Sequence, residues 1–350
     1  MAIKKKLKIG NITIDNNNPF VIAEIGHNHQ GNTKRAKDLI LAAKIAGASA
    51  VKFQKRNNET LFTKKFYDSS YDNPNSFAKT YGKHRNFLEL SKAQFKELIN
   101  FSNKIKIELF ATPFDVESVK FLESINVKCY KIASADLRNT ILQKEIAKTK
   151  KPIFLSTGGG TLKDVKRAVK NIMSINKNLS ILHCTASYPC KIEDMNLNVI
   201  KTYLKEFPKN LIGISDHENG IDAASIAYML GARVFEKHFT LNRGDKGTDN
   251  AFSLEPQGLE RLIRNIKRIP NMLGSKEKKL LESEKEPIRK MSKSIVAKKM
   301  IIKNQIIKNN DLTIKSPGGG LNPFDLSKII GKKAKKLIHI DDIILLKDIK

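Results

Sequence analysis

Eight short apolar runs follow one another along the chain: Phe20–Glu24, Ala50–Gln54, Glu108–Thr112, Cys129–Ser134, Ile153–Thr157, Ile181–Thr185, Leu211–Ser215 and Val234–His238. Each is nearly continuous rather than alternating, which is the pattern of a parallel strand buried on both faces. Between several of them the apolar spacing changes to that of an amphipathic helix. Ala36, Leu39, Ile40 and Ala43 share one face behind a capping Asn32 or Thr33 and stop near Gly47. Val165, Ala168, Val169 and Ile172 follow the capping-box pair Thr161 and Asp164, and Leu259, Leu262, Ile263 and Ile266 follow Pro256. Repeated strand–helix units make a parallel sheet, and eight of them predict a closed (β/α)8 TIM barrel. The rival is an open doubly wound sheet, but no Gly-x-Gly-x-x-Gly follows the first strand, which disfavours the dinucleotide-binding version.

Three stretches lie outside this repeat. Leu7, Ile9, Ile12 and Ile14 alternate around Gly10-Asn11 and predict a hairpin ahead of the barrel. Residues 56–90 are too long for an ordinary loop and carry Lys79-Thr80-Tyr81-Gly82-Lys83-His84-Arg85, so they read as a lid or a disordered insertion, with a lid near the site favoured. The end of the chain changes character. A charged linker, 275–291, separates a barrel domain, 1–274, from a small β-rich domain, 292–350. Short runs at Ser294–Ala297, Asp311–Ile314 and Ile343–Leu346 flank the turn Pro317-Gly318-Gly319-Gly320 there.

Lysine and arginine number 64 against 35 acidic residues, a formal charge of +29. The basic residues are spread over the whole chain, with only short runs such as Lys332-Lys333-Ala334-Lys335-Lys336, so attraction of small anions is expected and nucleic acid is not an expected partner. No apolar stretch is long enough to span a bilayer and no signal peptide is visible, so a cytoplasmic protein with no membrane partner is expected. Cys129, Cys184 and Cys190 are too few for a disulfide framework, and no Cys-x-x-Cys suggests structural zinc.

A barrel carries its site at the C-terminal ends of its strands. There the runs present Glu24; Lys52 and Gln54; Thr112; Lys131 and Ser134; Ser156, followed by Gly158-Gly159-Gly160; Thr185 and Tyr188; Ser215 and His217; and His238. One polar residue at a strand end is usually a turn former. Polar groups at all eight ends are harder to assign to turns. Two lysines beside apolar runs are costly to bury without an anionic partner. With the hydroxyls and the glycine-rich turn they suit a phosphate and a carboxylate. Neighbouring parallel strands would set His217 beside His238, a partial shell for a divalent metal that polarises a carbonyl, although each could equally be a hydrogen-bonded core histidine. Glu24 is the natural general base. The residues alone therefore predict a metal-assisted enzyme acting on a small phosphorylated carboxylate.

Taken in order, the motifs resemble the sialic acid synthase family: Phe20–Gly31 (FVIAEIGHNHQG), Lys52–Lys55 (KFQK), Ala111–Asp115 (ATPFD), Lys131–Ser134 (KIAS), Leu155–Gly158 (LSTG), His183-Cys184-Thr185 with Tyr188-Pro189, Ser215-Asp216-His217, and Glu236–Thr240 (EKHFT). Residues 292–350 resemble that family's antifreeze-like (SAF) domain, a β-clip. The resemblance implies condensation of phosphoenolpyruvate with N-acetylmannosamine, or its 6-phosphate, to give a nonulosonic acid and phosphate. It implies a Mn2+ or Mg2+ ion on His217 and His238, and Glu24 as the base. Lys52, Thr112, Lys131, Ser134, Ser156 and Ser215 match phosphoenolpyruvate-binding positions. Gln54, Tyr188 and Asp249 match sugar-binding positions, and Asp136 and Thr185 join the substrate-binding set. A domain-swapped homodimer is also implied.

Two departures bear on this expectation. Ser316 stands before Pro317-Gly318 where many bacterial members place an arginine that reaches the partner's sugar site, so that contact is lost or passes to Lys315. Asn250 follows Gly247-Thr248-Asp249 where sialic and legionaminic acid synthases commonly have histidine. The segment Lys79–Arg85 looks closer to animal-type members, and Lys79, His84 or Arg85 is expected to contact the sugar or a phosphate on it. The alternatives are a pseudaminic or legionaminic acid synthase, a more distant phosphoenolpyruvate-condensing barrel such as a heptulosonate synthase, and a non-catalytic basic binding protein.

Overall fold

The chain opens with an antiparallel hairpin, β1 (Leu7–Ile9) and β2 (Ile12–Ile14), and then runs through eight parallel strands. These are β3 (Phe20–Gly26), β4 (Ala50–Lys55), β5 (Glu108–Pro113), β6 (Tyr130–Ile132), β7 (Ile153–Ser156), β8 (Leu179–Cys184), β9 (Leu211–Asp216) and β10 (Val234–His238). They close in sequence order into a barrel, with β10 pairing β3 in register His238↔Glu24, and β3 pairing β4 at Glu24↔Lys52. The computed structural model describes residues 5–350 and separates into two units, Met1–Leu273 and Gly274–Lys350.

The continuous apolar runs follow from burial on both faces. Val21, Ala23, Val51, Phe53, Leu109, Ile132, Leu155, Ile181, Ile212 and Phe235 turn outward onto the helices. That layer is supplied by α1 (Thr33–Ile45) and by α5 (Lys92–Lys104), α6 (Val116–Glu123), α7 (Thr140–Lys148), α8 (Leu162–Met173), α9 (Val199–Glu206), α10 (Asp222–Met229) and α11 (Pro256–Leu273), while the short helices α2 (Asn58–Leu61), α3 (Lys64–Tyr67) and α4 (Tyr81–Phe87) of the insertion pack on one another. Asn32 caps α1 by accepting from the Arg35 amide, and Thr161 with Asp164 forms the capping box of α8.

Inward-facing side chains at the N-terminal end form a separate apolar plug. Phe20, Ile22, Ala50, Phe110, Cys129, Phe154, Leu182, Leu211 and Val234 pack with Leu7, Ile9 and Ile14, so the hairpin stoppers the bottom of the barrel. Phe154 lies between Phe20 and Phe110, with ring centroids 5.8 and 5.7 Å away. Full burial of such a side chain contributes about 1.5–3 kcal/mol.

The insertion between β4 and α5 is ordered rather than disordered. Phe62, Phe66, Tyr71 and Tyr81 form an aromatic cluster with centroid spacings of 4.6–5.5 Å, and Phe77 stacks on Phe87 at 4.9 Å.

In the second unit α12 (Lys285–Met291) leads into β11 (Ser294–Ala297), which pairs antiparallel with β12 (Leu312–Lys315) over a core of Ile295, Ile301, Ile307, Ile329, Ala334, Ile338 and Ile344. A short helix, α13 (Leu326–Ile329), closes one side. The expected strand Ile343–Leu346 does not form. Ile343 makes a single bridge to Val296, and Leu346–Asp348 folds into a 3-10 turn whose Asp348 carboxylate accepts from the Leu345 amide at 3.1 Å. The local hydrogen bond to Asp348 competes with strand pairing there. Lys315 is engaged by Asp341 of the same unit at 2.5 Å.

Candidate active site

The strand register carries the chemistry one step above the apolar plug. Two residues past Ile22, Ala50, Cys129, Phe154 and Val234 come Glu24, Lys52, Lys131, Ser156 and Glu236, on the same inner face because side chains alternate along a strand. They line a cavity of about 670 Å³ at the C-terminal mouth of the barrel. Of the side chains expected from sequence, Glu24, Lys52, Gln54, Thr112, Lys131, Ser134, Ser156, Tyr188, Ser215, His217, His238 and Asp249 line it together.

Asp136 and Thr185 do not. Asp136 sits in a 3-10 turn, Ser134–Asp136, and its carboxylate turns back to accept from the Asn139 side chain at 3.0 Å. The Thr185 hydroxyl donates to the Asp194 carbonyl at 3.0 Å, while the Thr185 carbonyl lies 2.9 Å from His217 Nδ1. Its connection to the site is thus through the orientation of His217. Among the lid candidates, Arg85 lines the cavity, Lys79 is exposed away from it, and His84 is buried with Nδ1 accepting from the Phe77 amide at 3.1 Å.

The centre is an alternating set of buried charges. Lys52 Nζ lies 2.8 Å from Glu24, 3.5 Å from Glu236 and 2.9 Å from the Thr112 hydroxyl. Lys131 Nζ is 3.3 Å from Glu236. Gln54 donates to the other Glu24 oxygen at 2.7 Å. The two carboxyls are driven apart. Burial raises Glu24 despite the opposing charge of Lys52. Glu236 is also buried, but Lys131 and Lys52 override burial and bring it down to about 2. Burial pulls on both ammonium groups. Glu236 and Glu24 more than offset it at Lys52, whose pKa ends raised, whereas Lys131, with less compensation, ends lowered. Glu24 is therefore the carboxyl suited to exchanging a proton, and Glu236 is a fixed counter-ion.

Glu236 was not singled out by the strand-end reading, although the signal was present: it lies two residues before His238 and so shares its inward face. Arg56 and His27 were also missed as site residues. Arg56 follows the end of β4, and His27 follows that of β3.

His217 and His238 stand beside each other with ring centroids 5.4 Å apart, and Tyr188 packs at 4.2 Å from His217. Burial lowers both imidazoles to about 4, so both are neutral at pH 7 and able to ligate a metal. The contact from His217 Nδ1 to the Thr185 carbonyl is the outer-shell arrangement that orients a metal-binding histidine. The buried His238 Nδ1, Ser156 Oγ and Glu236 Oε2 have no hydrogen-bond partner among the described residues. These are the atoms a bound cation and anion would satisfy. No group of three or more His, Cys, Asp and Glu among the described residues forms a metal shell; His217 and His238 are the side chains that would hold a divalent ion here.

Two glycines shape the walls. Gly26 has φ +52°, and a Cβ there would lie 3.2–3.3 Å from Gln54, Asp249 and Glu24. A Cβ on Gly158 would meet Ser134 Oγ at 2.8 Å, and that hydroxyl accepts from the Gly158 amide at 3.0 Å.

A parallel (β/α)8 barrel with lysines, carboxylates and a histidine pair at its C-terminal mouth defines a barrel that handles anions. The chain belongs to the NeuB family, whose model matches residues 39–278, and a SAF domain model matches residues 292–350. It is 38% identical over 327 residues to the N-acetylneuraminate-9-phosphate synthase of Homo sapiens, covering 93% of this chain and 91% of that protein. It is equally 38% identical over 334 residues to the N,N'-diacetyllegionaminic acid synthase of Campylobacter jejuni, covering 93% and 98%. Among solved structures, the sialic acid synthetase of Leptospira borgpetersenii superposes with a TM-score of 0.71 at 34% identity, over 81% of this chain and 95% of that one. The relatives are synthases of nonulosonic acids, and no helix among the described residues is long and apolar enough to cross a membrane.

Proposed function

We propose that this protein is an N-acetylneuraminate synthase, condensing phosphoenolpyruvate with an N-acetylmannosamine-type acceptor in the cytoplasm. The observation that carries the reading is the buried Lys52–Glu24–Glu236–Lys131 array beside His217 and His238. Lys52 and Lys131, with the Ser134, Ser156 and Ser215 hydroxyls and the Gly158 turn, bind the carboxylate and phosphate of phosphoenolpyruvate. Gln54, Tyr188 and Asp249 orient the open-chain sugar. His217 and His238 would hold a divalent cation, Mn2+ or Mg2+, whose Lewis acidity polarises the sugar aldehyde.

The methylene carbon of phosphoenolpyruvate bonds to the aldehyde carbon, whose oxygen takes up a proton. The charge that develops on the phosphate-bearing carbon is met by Glu24 and Glu236. Glu24 accepts a proton from the water that adds to that carbon. The C–O bond to phosphate then breaks, leaving a 2-keto acid and inorganic phosphate. A homodimer belongs to this reading by family resemblance. The equal identity to a legionaminic acid synthase keeps a second acceptor, the corresponding diacetylated sugar, in view.

The test is product analysis in 18O-labelled water. A nonulosonic acid whose new oxygen is labelled, released with unlabelled phosphate, is the expected result. Labelled phosphate would replace this chemistry by attack at phosphorus, and no product with any acceptor would remove the synthase reading.

A further inference from the structure

One buried charged pair takes no part in the proposed reaction. Lys237 and Asp216 have side chains only 2% and 3% exposed, and Lys237 Nζ lies 2.6 Å from the Asp216 carboxylate. Both face outward from the barrel, each two residues past an apolar member of the helix-facing core, Phe235 and Ile214. On β3, β9 and β10 that face is otherwise apolar, formed by Val21, Ala23, Ile212, Ile214 and Phe235. A buried ion pair is weak evidence of stabilisation, because taking both charges out of water offsets their attraction. Its place in the fold supplies a different reason for it.

The pair stands directly behind the two histidines. Asp216 and Lys237 are register partners on β9 and β10, and His217 and His238 are the next residues. The two histidines are held differently. His238 ends β10 in register with Glu24, and its carbonyl accepts from the Leu254 amide at 2.8 Å. His217 lies one residue past the end of β9, where the strand pairing has stopped. Its carbonyl accepts from the Cys190 amide and its Nδ1 meets the Thr185 carbonyl, both at 2.9 Å, and both of those partners lie in the loop after β8. The turn that aims His217 is closed by Asp216 and Lys237. One Asp216 oxygen accepts from the Glu218 amide at 2.8 Å, an Asx turn with His217 at its middle, and the other accepts from Lys237. Lys237 Nζ also donates to the Glu218 carbonyl. One ammonium group therefore ties down both residues that flank His217, and it does so from the strand that carries His238.

We propose that Lys237 and Asp216 are positioning residues for the histidine pair, holding His217 against His238 so that the two rings can share a divalent cation. The proposal rests on the metal reading of that pair, and its test reads metal binding without turnover.

The experiment is titration of the full, purified chain with Mn2+ alone, following the free ion by electron paramagnetic resonance, beside chemical denaturation of the same samples. Asp216→Leu combined with Lys237→Met removes both charges and keeps the volume, so the barrel should stay folded with a denaturation midpoint close to that of the wild type. Mn2+ should nevertheless bind about 10- to 100-fold more weakly, the usual loss when the partners behind a metal-binding histidine are removed. Asp216→Asn combined with Lys237→Met keeps an acceptor for the Glu218 amide and should lose less. Phe154→Ala, which loosens the barrel from the plug, should leave Mn2+ affinity as it was. An affinity untouched by the first double substitution would overturn the proposal; if that chain does not fold, an affinity untouched by the second would do so. An equal loss in Phe154→Ala would overturn it too, by making the effect one of general stability. A wild-type chain that binds no Mn2+ would remove the metal reading and the proposal with it.

Discussion

Along β7, Phe154 and Ser156 face the same interior and meet opposite requirements. Phe154 is packed between Phe20 and Phe110 in the apolar plug, and the Ser156 hydroxyl two residues later is buried without a hydrogen-bond partner among the described residues. The same step recurs from Ile22 to Glu24, Ala50 to Lys52, Cys129 to Lys131 and Val234 to Glu236. The lower layer is satisfied by its own contacts. The upper layer is satisfied only in part, with buried charges balanced against each other and single atoms left over. The contrast teaches that the plug is the stability of the barrel and the layer above it is its chemistry. Substitutions in the plug should therefore change stability and leave the site's chemistry alone, whereas those above it should change turnover, or, where a buried charge loses its partner, stability as well.

The largest effect should come from the upper layer. Glu24→Gln should lower turnover by about 100- to 10,000-fold with the barrel still folded, read by phosphate release alongside circular dichroism. Glu236→Leu should instead destabilise the barrel by about 3–5 kcal/mol in chemical denaturation, because it leaves Lys131 without its carboxylate and Lys52 with Glu24 alone. In the lower layer Phe154→Ala should cost a similar amount, about 3–5 kcal/mol, while the KM of the folded protein for phosphoenolpyruvate stays as it was. Ile22→Val, below Glu24, should cost only about 0.5–1.5 kcal/mol.

The smallest test concerns pH. Glu24 must be ionised to act as a base, and burial raises its pKa, so the acid limb of kcat/KM should lie above the ordinary glutamate value of about 4.3. Gln54 donates to the Glu24 carboxylate and thereby lowers that pKa, so Gln54→Leu should move the limb to higher pH. A limb that stayed put would separate Glu24 from the proton transfer.

The barrel was legible in the sequence because strands buried on both faces leave no polar alternation to obscure them. The site was legible where a charged residue interrupts such a run, as at Glu24, Lys52 and Lys131. Glu236 was harder, since Lys237 beside it is equally buried but turns the other way, to Asp216 at 2.6 Å. Arg56, one residue past the end of β4, carries no periodic signal. The turns that take the Asp136 and Thr185 side chains out of the cavity depend on partners at Asn139 and Asp194, and the order of the insertion depends on aromatic contacts between its own helices. None of these follows from spacing alone.

The central claim is that the layer of charge above the plug joins phosphoenolpyruvate to an amino sugar. The most direct measurement is phosphate release from phosphoenolpyruvate by the purified chain with Mn2+, comparing N-acetylmannosamine, its 6-phosphate, and the legionaminic and pseudaminic acid precursors. The account predicts release that requires both an acceptor and the metal, and that is lost with EDTA and in Glu24→Gln. A folded, metal-loaded protein that releases no phosphate with any of these acceptors would contradict it.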